Sequence, residues 1–474
     1  MVADMPFTSF QYVVFFSAVL VASWVIGFGR LRTWFILAAS VYFYASNNGW
    51  QIFLLIGTSV IDYLICLRMD SEQSERRRKL LVTLSIASNI GVLCYFKYFY
   101  FIGHSIEQSL HVVGLNLHWP DLKVALPIGI SFYTFEALSY TIDVYRRHIR
   151  AEKDVARLLF LVSFFPHLIA GPIVRAADFF PQMDRKPALN VSQFESGLFL
   201  IFTGLAKKLL LADSISHIAD AAFDRPDSVG MFGAWLGVYA FAFQIYFDFS
   251  GYTDIARGCA RLLGYELPEN FCSPYGASSI TDFWRRWHIS LSTWLRDYLY
   301  ISLGGNRMRT KWGVYRNLMI TMVLGGLWHG AAWHFVLWGT LHGLLLSLER
   351  LFAGNRSASD DRNVADGLWR RLLTFQLVTA LWIPFRATDL HSAYSLLKAM
   401  VGLTPGPAPT IGQTVVLAVL ILSWVWQLTK GSRQIKERFL LMPIGVKAVI
   451  YGIVAFASTV AVSDAPKVFI YFQF

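Results

Sequence analysis

The chain has 474 residues, of which 55% are hydrophobic and only 15% are charged, and its formal net charge is +11. Soluble domains carry nearer 25% charged residues, so this composition excludes an ordinary soluble protein and predicts a membrane protein. The basic residues flank apolar runs, as they do in the cytoplasmic loops of membrane proteins, so no nucleic-acid partner is expected.

Apolar runs near spanning length follow one another along the chain, at 7–28, 34–46, 50–67, 80–103, 123–145, 158–183, 196–213, 229–250, 317–349, 372–386, 410–428 and 444–462. The run at 158–183 contains FFPHLIAGPIVR, whose prolines and glycine interrupt a continuous helix. It is therefore predicted to be either a re-entrant segment or a kinked span. No repeat or soluble domain stands out, so a single all-α membrane domain over 1–474 is predicted.

The loops predict an orientation. The stretches 68–79, 146–153 and 430–438 are rich in Arg and Lys, whereas 104–122 contains neither. The positive-inside rule places the basic loops in the cytoplasm and the N-terminus outside. The run 7–28 exceeds the length of a signal-peptide core and ends in Arg30 and Arg32, so it is expected to be an uncleaved first span.

Several familiar catalytic and metal motifs are missing from the sequence. It contains no GxSxG, HExxH or GxxxxGK[ST], and its four cysteines form no CxxC pair. A serine hydrolase, a zinc protease, a P-loop enzyme and a structural zinc site therefore have no local support. Any catalysis must rest on other side chains.

Two stretches carry histidines among apolar residues. Residues 280–307 are predicted to form one amphipathic helix at the cytoplasmic interface, with His288 on its apolar face. Residues 326–343, GLWHGAAWHFVLWGTLHG, hold His329, His334 and His342. On a single helix His334 would turn away from His329, so these three are not expected to bind a metal. For each histidine a structural hydrogen bond and a proton-transfer role are both open.

Other polar side chains lie within the apolar runs, namely Lys97, Glu136, Asp143, Gln244, Asp248 and Asp254. Most are expected to be structural, with the carboxylates paired to Lys97 or Arg257 or capping helix ends. For Asp248 and Asp254 a place beside a cavity is the alternative.

Two blocks of the sequence resemble a known family. The blocks DFWRRWHISLSTWLRDYLYISLGGNR and YRNLMITMVLGGLWHGAAWHFVLWGTLHG are similar to the membrane-bound O-acyltransferase superfamily, and within it to the integral-membrane subunits of alginate O-acetyltransferases. The resemblance extends to KYFYF, LPIGISFYTFEALSYTIDVYR, FFPHLIAGPIVR, YFDFSGYTDIARG and the terminal FIYFQF. It implies a ring of helices, some short, tilted or re-entrant, around a central tunnel.

The resemblance also implies a function. It predicts that His329 and His288 are catalytic, and that acetyl passes from cytoplasmic acetyl-CoA to an exported polysaccharide, most simply alginate. Substrate binding is assigned to Trp287, Trp328, Asp248, Arg285 and Arg286. Arg307, Arg309 and Lys311 are further candidates for the CoA phosphates. The expected partners are membrane lipid and a periplasmic acetyltransferase in a bacterial inner membrane, with no bound cofactor and no metal.

Three alternatives stay open. The same chemistry could serve another envelope acceptor, such as cellulose, peptidoglycan or teichoic acid. A transporter lined by Asp248, Asp254 and the histidines would move a solute without cleaving a thioester. A scaffold for a synthase complex would use both histidines structurally.

Overall fold

The computed structural model describes residues 5–120, 122, 125–169, 171–187, 190–353, 364–429, 431–461 and 469–470. Within these ranges the regular structure is helical and contains no strand, which confirms the predicted all-α class. Among the described residues, six continuous helical segments are long and apolar enough to cross a membrane: Arg30–Ser71, Glu75–Val112, Gly230–Leu262, Trp333–Phe352, Ile411–Leu428 and Ile444–Ala461.

The chain divides into two compact units, Met1–Ile201 with Ile255–Pro268, and Phe202–Asp254 with Glu269–Phe474. The helices up to the middle of the chain are α1 Phe10–Ile26, α2 Arg30–Asn48, α3 Ile52–Ser71, α4 Glu75–Leu93, α5 Phe99–Val112, α6 Ile130–Tyr145, α7 Val155–Ser163, α8 Phe165–Leu168, α9 Ala176–Met183, α10 Val191–Leu205 and α11 Asp213–Asp224. The remainder are α12 Gly230–Leu262, α13 Ile280–Trp284, α14 Ile289–Trp294, α15 Lys311–His329, α16 Trp333–Ala353, α17 Val364–Arg386, α18 Leu390–Met400, α19 Ile411–Leu428, α20 Gly431–Leu440 and α21 Ile444–Ala461.

In the first unit, the broken segment predicted at 158–183 is confirmed. Helix α7 ends at Ser163, the four-residue α8 follows, and the chain resumes helical structure only in α9. A buried pair holds this segment to α6, because His167 Nδ1 lies 3.1 Å from Glu136 Oε1. The same oxygen accepts a hydrogen bond from the Val174 amide at 2.9 Å. A backbone N–H group that the broken helix leaves without a helical acceptor is therefore hydrogen-bonded inside the protein.

The partner of Glu136 differs from the one expected. The sequence suggested Lys97 or Arg257, but the carboxylate pairs with His167. Lys97 Nζ instead donates a hydrogen bond to Ser131 Oγ at 3.2 Å. The expectation was wrong because spacing within an apolar run says nothing about which distant helix lies opposite.

In the second unit, α15 and α16 form a close hairpin. Added Cβ atoms at Gly326 and Gly339 would collide with the carbonyl oxygens of Phe335 and Met322, so these glycines let the two backbones approach. The apolar run 317–349, and with it 326–343, is therefore not one helix. It breaks after His329, where Gly330 is extended with a φ of −161° and a ψ of 151°.

The prediction of one helix over 280–307 is also wrong. The chain turns between α13 and α14, and His288 takes a left-handed conformation with a φ of 43° immediately before α14. The predicted place of His288 on the buried face is nevertheless confirmed: His288 is buried with Trp287 and Leu291, and Arg285 is exposed. The turn interrupts the helical backbone hydrogen bonds but keeps these side chains on the buried side of the segment.

Candidate active site

His288 is held by a neighbouring loop. Its Nδ1 lies 3.2 Å from Asn270 Oδ1, and the same oxygen accepts hydrogen bonds from the Ser290 amide at 3.1 Å and the Ser290 hydroxyl at 3.0 Å. The Asn270 carbonyl accepts from the Ile289 amide at 3.0 Å. Both His288 and Asn270 are completely buried. Asn270 thus fixes the left-handed turn and the imidazole plane together.

These contacts also set the protonation of the ring. Because the Ser290 amide can only donate, the Asn270 atom facing His288 is the oxygen, and His288 Nδ1 must be the donor. His288 lies outside the six candidate membrane-spanning segments. Burial lowers the pKa of its imidazole to about 3. The ring is therefore neutral near pH 7, with its lone pair on Nε2.

His329 ends α15 in an aromatic environment. Its ring centroid lies 5.1 Å from that of Trp328, 5.2 Å from Trp338 and 5.2 Å from Phe385, each at a steep angle. The side chain is 5% exposed. Trp328 also contacts His288, with centroids 5.8 Å apart. The two predicted catalytic histidines therefore both contact Trp328 and belong to one buried group.

The other two histidines of 326–343 have structural contacts. His342 Nδ1 accepts a hydrogen bond from Trp284 Nε1 at 3.3 Å, and His334 Nδ1 donates one to the Pro384 carbonyl at 3.0 Å. His334 therefore contacts a neighbouring helix, since Pro384 belongs to α17. Within the described residues no group of three or more His, Cys, Asp or Glu side chains could hold a metal ion.

Asp248 lies in a buried ion-pair cluster. Its Oδ1 is 2.7 Å from Lys208 Nζ, which also lies 2.9 Å from Asp213 Oδ1. Its Oδ2 accepts a hydrogen bond from the Ile470 amide at 2.8 Å. The predicted partner, Lys97 or Arg257, was wrong for this carboxylate too. Both carboxylate oxygens are engaged by the protein's own groups.

This cluster connects to His288 through a series of tilted and edge-on ring contacts. Phe469 lies 4.4 Å from Tyr252 and 5.7 Å from Phe249 between ring centroids. Phe249 in turn packs edge-on against His288 at 4.7 Å. Asp248, Lys208 and residues 469–470 therefore support the wall on which the imidazole rests.

The remaining predicted binding residues lie in two settings. Trp287 is buried among aromatic rings, 5.0 Å from Trp382 and 5.1 Å from Phe271 between centroids. Arg285 is exposed, and Arg286 Nε lies 2.9 Å from Asp282 Oδ1. The structure therefore brings Trp328 to both histidines and places the two arginines on the turn that precedes His288.

Three supporting residues were not found from the sequence. Asn270 lies 18 residues before His288 in a loop, where local spacing carries no signal. Phe249 is one aromatic among many in its run. Lys208 did leave a signal, because AKKLLLAD places two lysines inside an apolar run, and an intramembrane lysine requires a partner.

Six helical segments among the described residues are long and apolar enough to cross a membrane, so the fold is that of a helical, multi-pass membrane protein. The sequence model of the membrane-bound O-acyltransferase family matches residues 6–365, and the chain belongs to that family. It is an O-acyltransferase.

Curated relatives cover most of the chain. A probable alginate O-acetylase AlgI of Azotobacter vinelandii is 39% identical over 91% of this chain and 85% of its own length. The protein of the same name from Pseudomonas aeruginosa is 41% identical over 84% of this chain and 75% of its own length. A peptidoglycan O-acetyltransferase of Helicobacter pylori is 38% identical over 78% of this chain and 74% of its own length.

Proposed function

We propose that this protein takes acetyl from acetyl-CoA on the cytoplasmic side and passes it across a bacterial inner membrane to an exported polysaccharide, alginate in the first instance. The observation that carries the proposal is the buried pair His288 and His329, whose rings both contact Trp328. The resemblance to alginate O-acetylases supports the polymer.

His329 is the proposed general base. It takes the proton from the attacking hydroxyl as the oxygen bonds to the thioester carbonyl carbon. When the tetrahedral intermediate collapses, the carbon–sulfur bond breaks and the imidazolium returns the proton to the leaving thiolate. Its surroundings exclude water, which protects the thioester from hydrolysis.

His288 takes an orienting role. Neutral His288 carries its proton on Nδ1, which Asn270 holds, so it has no free N–H to donate to a developing oxyanion. Its Nε2 can therefore accept a hydrogen bond but not donate one. We assign it to accepting a hydrogen bond from a neighbouring hydroxyl of the acceptor, which orients the attacking oxygen toward the carbonyl carbon while His329 takes the proton of the attacking hydroxyl.

The donor and acceptor contacts belong to the same proposal. Arg285, with Arg286, Arg307, Arg309 and Lys311, supplies positive charge for the CoA phosphates, supported by the exposure of Arg285 on the turn before His288. Trp287 and Trp328 supply aromatic surface near the acyl group. Asp248, which the sequence placed among binding residues, is instead given the supporting role that its contacts with Lys208 and Ile470 indicate.

The test is transfer of labelled acetyl from acetyl-CoA by purified protein in lipid, with oligomannuronate as acceptor. His329→Ala should abolish transfer, while His391→Ala, at an exposed histidine, should not change it. Both variants are compared at equal folded fraction by size-exclusion chromatography and thermal unfolding. Normal transfer by folded His329→Ala would refute the assignment of the base.

A second acceptor deserves a parallel assay because one relative is a peptidoglycan O-acetyltransferase. Muropeptides replace oligomannuronate in the same reaction. Preferential acetylation of muropeptides would keep the mechanism and replace the polymer.

A further inference from the structure

The first unit contains a basic cavity of about 550 Å³ that the acyl-transfer proposal does not use. Five cationic side chains line it, together with an exposed aromatic ring: Arg30, Arg32, Lys153, Arg157, Arg185 and Trp34. We propose that this basic cavity binds the phosphate headgroup of an anionic phospholipid.

The charges in the cavity do not balance. Three carboxylates also line it, and all three are already engaged. Arg30 pairs with Asp154 at 3.3 Å, and Arg157 contacts Glu152 at 3.0 Å and Asp184 at 2.7 Å.

Three cations are left without a neutralising carboxylate. Arg32 donates to two carbonyl oxygens, Ser23 O at 3.2 Å and Leu263 O at 2.7 Å, which carry no net charge. Lys153 and Arg185 are exposed and have no carboxylate within salt-bridge distance among the described residues. An excess of positive charge in a partly enclosed site attracts an anion.

Backbone donors add to the attraction. Helix α2, 19 residues long, begins at this cavity, and its N-cap residue is Gly29, which has no side chain to cap the first amides. A Cβ at Gly29, where φ is 137°, would meet nothing within 4 Å. The first amides of α2 are therefore open to a ligand at the positive end of the helix dipole, the arrangement by which helices bind phosphate.

The setting points to a lipid rather than to a soluble anion. Phe28 and Trp34, which line the cavity, are 50% and 49% exposed, and aromatic rings of this kind mark the membrane interface. Val25 and Leu31 next to them are 81% and 69% exposed, which provides an apolar surface for acyl chains. A phosphate at this level is most readily supplied by the membrane itself.

The experiment measures lipids retained by the full-length protein in native mass spectrometry after exchange into mixed phosphatidylcholine and phosphatidylglycerol. Phosphatidylglycerol should be retained at least about 5-fold more than phosphatidylcholine. The double variant Lys153→Gln/Arg185→Gln should lose that preference. The charge-matched control Arg76→Gln/Lys79→Gln, on the exposed surface of α4, should keep it.

Other results would overturn the proposal. An equal loss in both double variants would mean nonspecific attraction to surface charge. Displacement of phosphatidylglycerol by millimolar inorganic phosphate would mean a soluble anion site instead of a lipid site. Both substituted pairs are exposed, so size-exclusion chromatography is expected to show unchanged folding.

Discussion

Replacing Asn270 with Ala tests the most tightly bonded part of the site. The substitution removes the one oxygen that accepts from His288 Nδ1 and from both donors of Ser290. A buried donor that loses its acceptor costs about 1–3 kcal/mol. Three such donors in a fully buried position give a loss of about 3 kcal/mol at the low end of that range.

Asn270→Ala should also lower the activity of the protein that remains folded. Without Asn270 neither the tautomer nor the plane of His288 is fixed, and misplacing a reacting group by about 1 Å costs about 10²-fold in rate. The assay is acetyl transfer at equal folded fraction, with thermal unfolding measured in parallel. Full activity together with an unchanged unfolding temperature would refute the role given to Asn270.

Asn270→Asp separates hydrogen bonding from charge. The carboxylate can still accept from His288 and Ser290, but its negative charge raises the pKa of His288 from its low value of about 3. The imidazolium form, which cannot accept a hydrogen bond at Nε2, then persists to higher pH. Transfer by the variant should therefore be weakest at low pH and recover as pH rises, whereas a pH profile matching that of wild type would contradict the neutral role of His288.

Two further substitutions test the frame around the site. Gly326→Ala places a methyl group against the Phe335 carbonyl and should cost about 1–3 kcal/mol and reduce transfer, whereas Gly91→Ala, with open space around its Cβ, should leave unfolding and transfer unchanged. Asp248→Asn leaves the buried Lys208 with one carboxylate partner, Asp213, and should lower the free energy of unfolding by less than the roughly 3–5 kcal/mol that a fully broken buried pair costs. Adding Lys208→Met should recover part of that loss; no recovery would show that the ion pair is not what Asp248 contributes.

The class of protein could be predicted from the sequence because composition and run length respond to the bilayer directly. The break in 158–183 was predictable for a similar reason, since a proline cannot donate the helical hydrogen bond. The two histidines were recognisable because each lies in a distinctive local block.

Contacts between distant segments could not be predicted in this way. The turn at His288 depends on Asn270, and the pairing of Asp248 depends on Lys208, on another helix. The periodicity of apolar residues indicates which face of a segment is buried, but not whether the helical backbone hydrogen bonds continue. One helix was therefore expected over 280–307, where α13 and α14 occur. Lys208 could have been identified from the sequence only because a charged side chain within an apolar run requires a partner.

The contact of Ile470 with Asp248 has a consequence for biogenesis. The two residues are 222 positions apart, so the wall behind His288 lacks one of its layers until residues 469–470 have been synthesised and inserted. A nascent chain that carries both histidines would therefore remain inactive while it is still emerging from the ribosome. Competence would be acquired late, because residues 469–470 are synthesised only after α21, which ends at Ala461.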